Sequence, residues 1–117
     1  MRNRRLLLAA AAGLAVTGCS SMAGGPLIRP GEPTGTLVVA NGSNYTLTSI
    51  LISECDHYTY GFNRLPDGVR VSPGSAYRFT VSAGCWDVAA GLAYTETRFR
   101  TDVRPGGVTR HTVVNPD

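Results

Sequence analysis

The sequence predicts an all-β fold, a small antiparallel β-sandwich of roughly six or seven strands. Three observations carry this. From Thr36 onward, short runs rich in Val, Ile, Thr, Tyr and Phe are separated by turn clusters roughly every eight to twelve residues. No helical stripe of useful length interrupts them. A chain of 117 residues with 43% hydrophobic residues, 16% charged residues and 14 Gly suits one compact domain rather than a disordered one.

The elements follow in order. Thr36 to Ala40 reads as a strand, ended by Asn41-Gly42-Ser43-Asn44, where Asn-Gly has the chemistry of a hairpin turn. Tyr45 to Ser53 is the second strand, and Glu54 to Asn63 an irregular polar and aromatic loop. Arg64 to Val71 holds a short strand broken by Pro66-Asp67-Gly68, and Ser72-Pro73-Gly74-Ser75 is a turn. Ala76 to Ser82 alternates, with Tyr77, Phe79 and Val81 on one face and Arg78, Thr80 and Ser82 on the other. Ala83-Gly84 turns the chain. Cys85 to Tyr94 then puts Trp86, Val88, Ala90, Leu92 and Tyr94 on one face. Thr97 to Arg104 and Val108 to Asn115, separated by Pro105-Gly106-Gly107, complete the set.

Charge narrows the function. All 11 basic residues are Arg, and Arg2, Arg4 and Arg5 lie in the first five positions. From Cys19 onward 8 Arg face 8 Asp plus Glu. A charge-balanced body argues against nucleic-acid binding, which needs a dense basic surface to displace phosphate counterions.

The segment before the domain has its own logic. Leu6 to Val16 is a run of eleven apolar or small residues behind the Arg cluster. A bilayer span needs about twenty such residues, so this is the length of a signal-peptide core. It ends in Val16-Thr17-Gly18-Cys19, which resembles the bacterial lipobox: an aliphatic residue, a small residue, Gly or Ala, then Cys. The resemblance implies that the Cys19 thiol receives a diacylglyceryl group through a thioether. Signal peptidase II then cuts before Cys19, and the new amino terminus is acylated. Two or three acyl chains make a long-lived membrane attachment where one holds only weakly. Ser20, rather than the Asp that retains such proteins at the inner membrane, implies the outer membrane facing the periplasm. Membrane lipid, through the anchor, is therefore one expected partner, and an envelope protein complex another. No separate cofactor is expected.

The chain thus divides into a signal peptide (1–18), a lipidated Cys with a flexible tether (19–35) and a β-sandwich domain (36–117). Ser20 to Gly35 carries four of the 14 Gly and three of the seven Pro without apolar periodicity. A flexible chain of that length spans on the order of 20 Å. With Cys19 lipidated, Cys55 and Cys85 remain as a pair in an oxidising compartment. A disulfide between them is expected; two free thiols or a metal site are the rival readings.

The domain also resembles small, mostly uncharacterised bacterial exported domains with an immunoglobulin-like or transthyretin-like sandwich. The residues that carry this are Val38, Val39 and Asn41; Ile50, Ile52 and Ser53; Tyr60-Gly61, Asn63 and Leu65; and Pro73-Gly74, Phe79-Thr80-Val81, Gly84-Cys85 and Asp87-Val88. The resemblance implies a fold and brings no catalytic residues with it. In such domains the Gly-Cys strand often pairs with a later Cys. None follows Cys85 here, which makes Cys55 its partner.

Candidate chemistry is sparse. Cys55-Asp56-His57 could pair a thiol with a base, but adjacent residues on an extended chain point apart, and a disulfide would remove the thiol. No enzyme is expected. Glu54, Asp56, His57 and His111 would form a metal site only if the loop met the last strand; the spacing does not demand it, and no metal is expected. Arg98, Arg100, Asp102 and Arg104 alternate along one strand with Arg110 near them on the next. Such a stripe could clamp phosphate or carboxylate, or simply face solvent. Tyr58, Tyr60 and Phe62 crowd the loop after Cys55 as a partner-binding patch or as packing over one end of the sandwich. Trp86 reads as core beside the disulfide. The expected role is a non-catalytic structural or protein-interaction module, with recognition of an anionic envelope ligand or a protein partner as the alternative.

Overall fold

The computed structural model describes residues 25–92 and 94–116. Six strands form in chain order: β1 (Thr34–Asn41), β2 (Leu47–Glu54), β3 (Ala76–Ser82), β4 (Gly84–Leu92), β5 (Thr95–Val103) and β6 (Val108–Val113). They make two three-stranded sheets, ordered β3-β1-β6 (sheet I) and β2-β4-β5 (sheet II). This is the all-β sandwich that the sequence predicts.

Pairing is antiparallel except between β1 and β6, which run parallel with Thr36 opposite Val108 and Asn41 opposite Val113. The expectation of a purely antiparallel sandwich is corrected there. Alternation fixes which residues face inward, but it leaves the neighbours of a strand open. The expected hairpin at Asn41-Gly42 is corrected too, because β1 and β2 belong to different sheets. Asn41 is buried at the crossing. Its Nδ2 donates to the carbonyls of Tyr45 (2.7 Å) and Val71 (2.9 Å), and its Oδ1 accepts from the Ser43 backbone N–H (3.0 Å). One side chain thus satisfies the backbone of an arch between sheets.

The core lies between the sheets. Leu37, Val39, Phe79, Val81 and Val113 from sheet I meet Leu47, Ile50, Ile52, Trp86, Val88, Ala90, Leu92 and Val103 from sheet II. A register irregularity between Leu47 and Ser49 lets Leu47 and Ile50, three positions apart, both face inward. Trp86 is fully buried, and its Nε1 donates to the Ser82 carbonyl at 2.8 Å. The segment Arg64–Val71 forms no strand. It meets β2 through a bridge at Leu47–Val71, next to one at Leu51–Asn63, and through Arg64, which donates to the Ile50 and Ile52 carbonyls, while Leu65 and Val71 add to the core. Tyr94 is exposed rather than inward, since β4 stops at Leu92.

The expected tether is shortened. Residues 25–33 lie against the sandwich, and β1 begins at Thr34 rather than Thr36. The Ser82 N–H donates to the Leu27 carbonyl (2.7 Å), Ala83 N–H to the Pro33 carbonyl (2.8 Å) and Arg64 Nη2 to the Gly25 carbonyl (2.6 Å). Leu27 packs on the core. Arg29 pairs with Glu32 (2.6 Å) and Glu54 (3.3 Å), and its guanidinium lies 5.1 Å from the centre of the Trp86 ring. Cys19 and the expected signal peptide lie outside the described residues.

Candidate interaction site

The outward side chains of sheet II are set by register. Ser53 of β2, Asp87 of β4 and Arg100 of β5 form one row; Leu51, Ala89 and Arg98 form the next. Over this face folds the loop from Cys55 to Asn63. One end is stapled by the Cys55–Cys85 disulfide, with the two Cα atoms 5.5 Å apart. The other end is hydrogen-bonded to the edge of β2. Ile50 N–H donates to Asn63 Oδ1 at 2.9 Å, and Arg64 N–H donates to the Ile50 carbonyl at 2.7 Å.

Ion pairs and one aromatic contact hold the middle. Arg100 binds Asp87 bidentately, Nε to Oδ1 at 2.7 Å and Nη2 to Oδ2 at 3.1 Å, and reaches Asp56 Oδ1 at 3.0 Å. Donation from Arg100 holds the Asp87 carboxyl below its ordinary range, and the two carboxylates raise Arg100 in turn. The Arg98 guanidinium sits 4.8 Å from the Tyr60 ring centre and pairs with Glu96. Asp56 adopts a positive φ of 63°, a conformation that Asp tolerates better than most residues. Its N–H points to Asp87 at 3.4 Å. Ser53 and Ala89, though on the outward face, are only 2% and 1% exposed under this cover.

Two large apolar side chains remain outside. Tyr58 is 76% exposed and Phe62 63%, on a backbone fixed at both ends. His57 stacks on Tyr58 with ring centres 4.5 Å apart. Tyr60 points inward to Arg98. The aromatic loop and the Arg stripe, read separately in the sequence, therefore meet, with the Arg residues serving the loop.

The stripe itself is shorter than expected. β5 ends at Val103, so Arg104 lies in the turn before β6. Arg110 lies on β6 in sheet I, away from Arg98 and Arg100. The conditional metal set does not assemble. Glu54 pairs with Arg29, and His111 stacks on Phe99 with centres 3.5 Å apart. Among the described residues no group of three His, Cys, Asp or Glu could hold a metal ion. Cys55 is bonded to Cys85 and so unavailable as a thiol beside His57. Asp87 and Arg29 are the structural surprises. The first was signalled by a lone carboxylate inside an apolar strand, whereas the second is hidden in a Gly- and Pro-rich stretch.

No family model matches the chain, and neither does any curated protein. Among solved structures the chain is similar to the Bacillus anthracis TIE protein, at 15% identity and a TM-score of 0.53, over 72% of this chain and 16% of that one. The chain thus spans about a sixth of that protein's length, and the likeness is one of fold alone.

Proposed function

We propose that the chain is a membrane-anchored cell-envelope lipoprotein. Its β-sandwich is a non-catalytic module that presents a stapled aromatic loop to a protein partner. The single observation that carries the proposal is the cysteine arrangement. Three Cys are present; Cys55 and Cys85 bond to each other, and Cys19 remains at the end of an apolar run in the sequence Val-Thr-Gly-Cys. A disulfide in a small domain suits an oxidising compartment. Ser20 after Cys19 favours the outer membrane, facing the periplasm.

The loop supports the second half of the proposal. Tyr58 and Phe62 are exposed on a loop stapled at one end and hydrogen-bonded at the other, which limits the entropy lost on contact with a partner. Arg98 and Arg100 are committed to Glu96, Tyr60, Asp87 and Asp56, which disfavours the alternative that this stripe clamps an anionic ligand.

Cys19→Ala should leave an unlipidated precursor with its apolar segment uncut, read by intact mass. A variant matured and lipidated like the wild type would overturn the anchor.

A further inference from the structure

The two sheets carry opposite charge. The strands of sheet I contain two Arg, Arg78 and Arg110, and no Asp or Glu. The strands of sheet II contain four carboxylates, Glu54, Asp87, Glu96 and Asp102, against two Arg. The strands of a body that is neutral in sum are therefore sorted by charge between its two sheets.

Among the described residues both Arg of sheet I lack an ion-pair partner, as do the loop residues Arg70 and Arg104. Arg29, Arg98 and Arg100 have carboxylate partners, and Arg64 donates to backbone carbonyls. Register places Arg78 and Arg110 opposite Val38, one on each side, on the outward face of sheet I. They stand two strand spacings, about 10 Å, apart. Val38 points outward yet is only 4% exposed, and the aliphatic stems of the two Arg are the groups positioned to cover it. Around them stand Thr36, Thr80 and Thr112, with Val108 exposed at the rim.

The length of chain between the described residues and Cys19 bounds how far the domain can stand from an anchor there. Gly25 is fastened to Arg64, so the five residues 20–24 are all that separate the sandwich from Cys19. Fully extended, they reach at most about 20 Å. A domain anchored at Cys19 therefore stays within about 20 Å of the headgroups, near enough for its charged faces to be sorted by an anionic surface.

We infer that the outward face of sheet I, through Arg78 and Arg110, rests on the phosphates of an anionic phospholipid layer, leaving sheet II and its aromatic loop turned away from the membrane. The inference rests on the lipid anchor at Cys19. Two separated guanidinium groups suit two headgroup phosphates, and the carboxylates of sheet II are repelled from the same surface.

The test uses the full-length protein purified from membranes and reconstituted on vesicles of phosphatidylcholine alone or mixed with phosphatidylglycerol. Flotation with the vesicles reads the anchor. Phenylglyoxal modification, mapped by peptide mass spectrometry, reads each Arg, with exposed Arg70 as internal reference. Flotation on both vesicle types is expected. Modification of Arg78 and Arg110, relative to Arg70, should slow about fivefold or more on phosphatidylglycerol and recover in high salt. Equal modification on both vesicle types, with flotation intact, overturns the membrane contact and leaves the anchor standing; an acidic protein would then be the partner of this face. Failure to float on phosphatidylcholine overturns the anchor, and protection of the two Arg on phosphatidylglycerol would then sustain the contact by itself.

Discussion

Cys55 and Cys85 lie 30 residues apart and close the loop that covers sheet II. In the chain-entropy view such a closure contributes about 3.6 kcal/mol by restricting the unfolded chain. Cys55→Ser/Cys85→Ser should therefore lower the Tm by roughly 15 °C or more in a domain of this size. An unaltered calorimetric melt would show that the bond contributes nothing. His111 offers a second test at the same scale. Burial against Phe99 pushes its imidazole below the usual 6.5, so the unfolded chain takes up a proton more readily than the folded one. The stability that this contributes is complete above the usual value and is lost as pH falls through the depressed one. His111→Phe keeps the stack and removes the titration. Its Tm should stay flat from about pH 7 to about pH 5, while the wild type declines. Asp87 acts in a lower window. Its contribution is present above 3.8 and is lost as pH falls through its depressed value.

Among the elements, the Cys55–Asn63 loop depends most on others. It has no regular hydrogen-bonding ladder of its own, and its place is set by one covalent bond, the edge of β2 and the Arg100 clasp. Arg100→Gln should leave the sandwich folded while amide exchange at residues 56–60 speeds up several-fold, measured by hydrogen–deuterium exchange. Unchanged exchange would mean that the disulfide alone positions the loop. Most strands were legible in the sequence for a simple reason. Phe79 and Val81, then Trp86, Val88, Ala90 and Leu92, keep strict period-two spacing over one buried face. Residues 25–33 were not, because Gly and Pro density reads as linker. What holds them is distant in sequence: Ser82, Ala83, Glu54 and Trp86. The clasp at Asp87 was half legible, as a carboxylate between Trp86 and Val88 whose partner on β5 only the register supplies.

At the scale of the whole molecule, the sequence showed a neutral body and the fold divides it. Counting charges along the chain gives balance; sorting strands into sheets gives a positive face and a negative one. That sorting depends on β6 joining β1 rather than its hairpin neighbour β5, and period-two alternation is silent on this choice. The same step removes Arg110 from the stripe on β5 and places it across Val38 from Arg78. The footprint of those two Arg on charged and neutral vesicles thus tests the topology's functional meaning as well as a pair of side chains.

The parallel union of β1 and β6 also bears on how such a chain is made. β1 is a central strand, and one of its two edges is filled by residues about seventy positions further on. In a chain made from its N-terminus, that edge stays bare until Val108–Val113 are added. The last six-residue strand is therefore a latch. Before it arrives one edge of a central strand is open, and once it pairs the first and last strands of the domain are joined side by side.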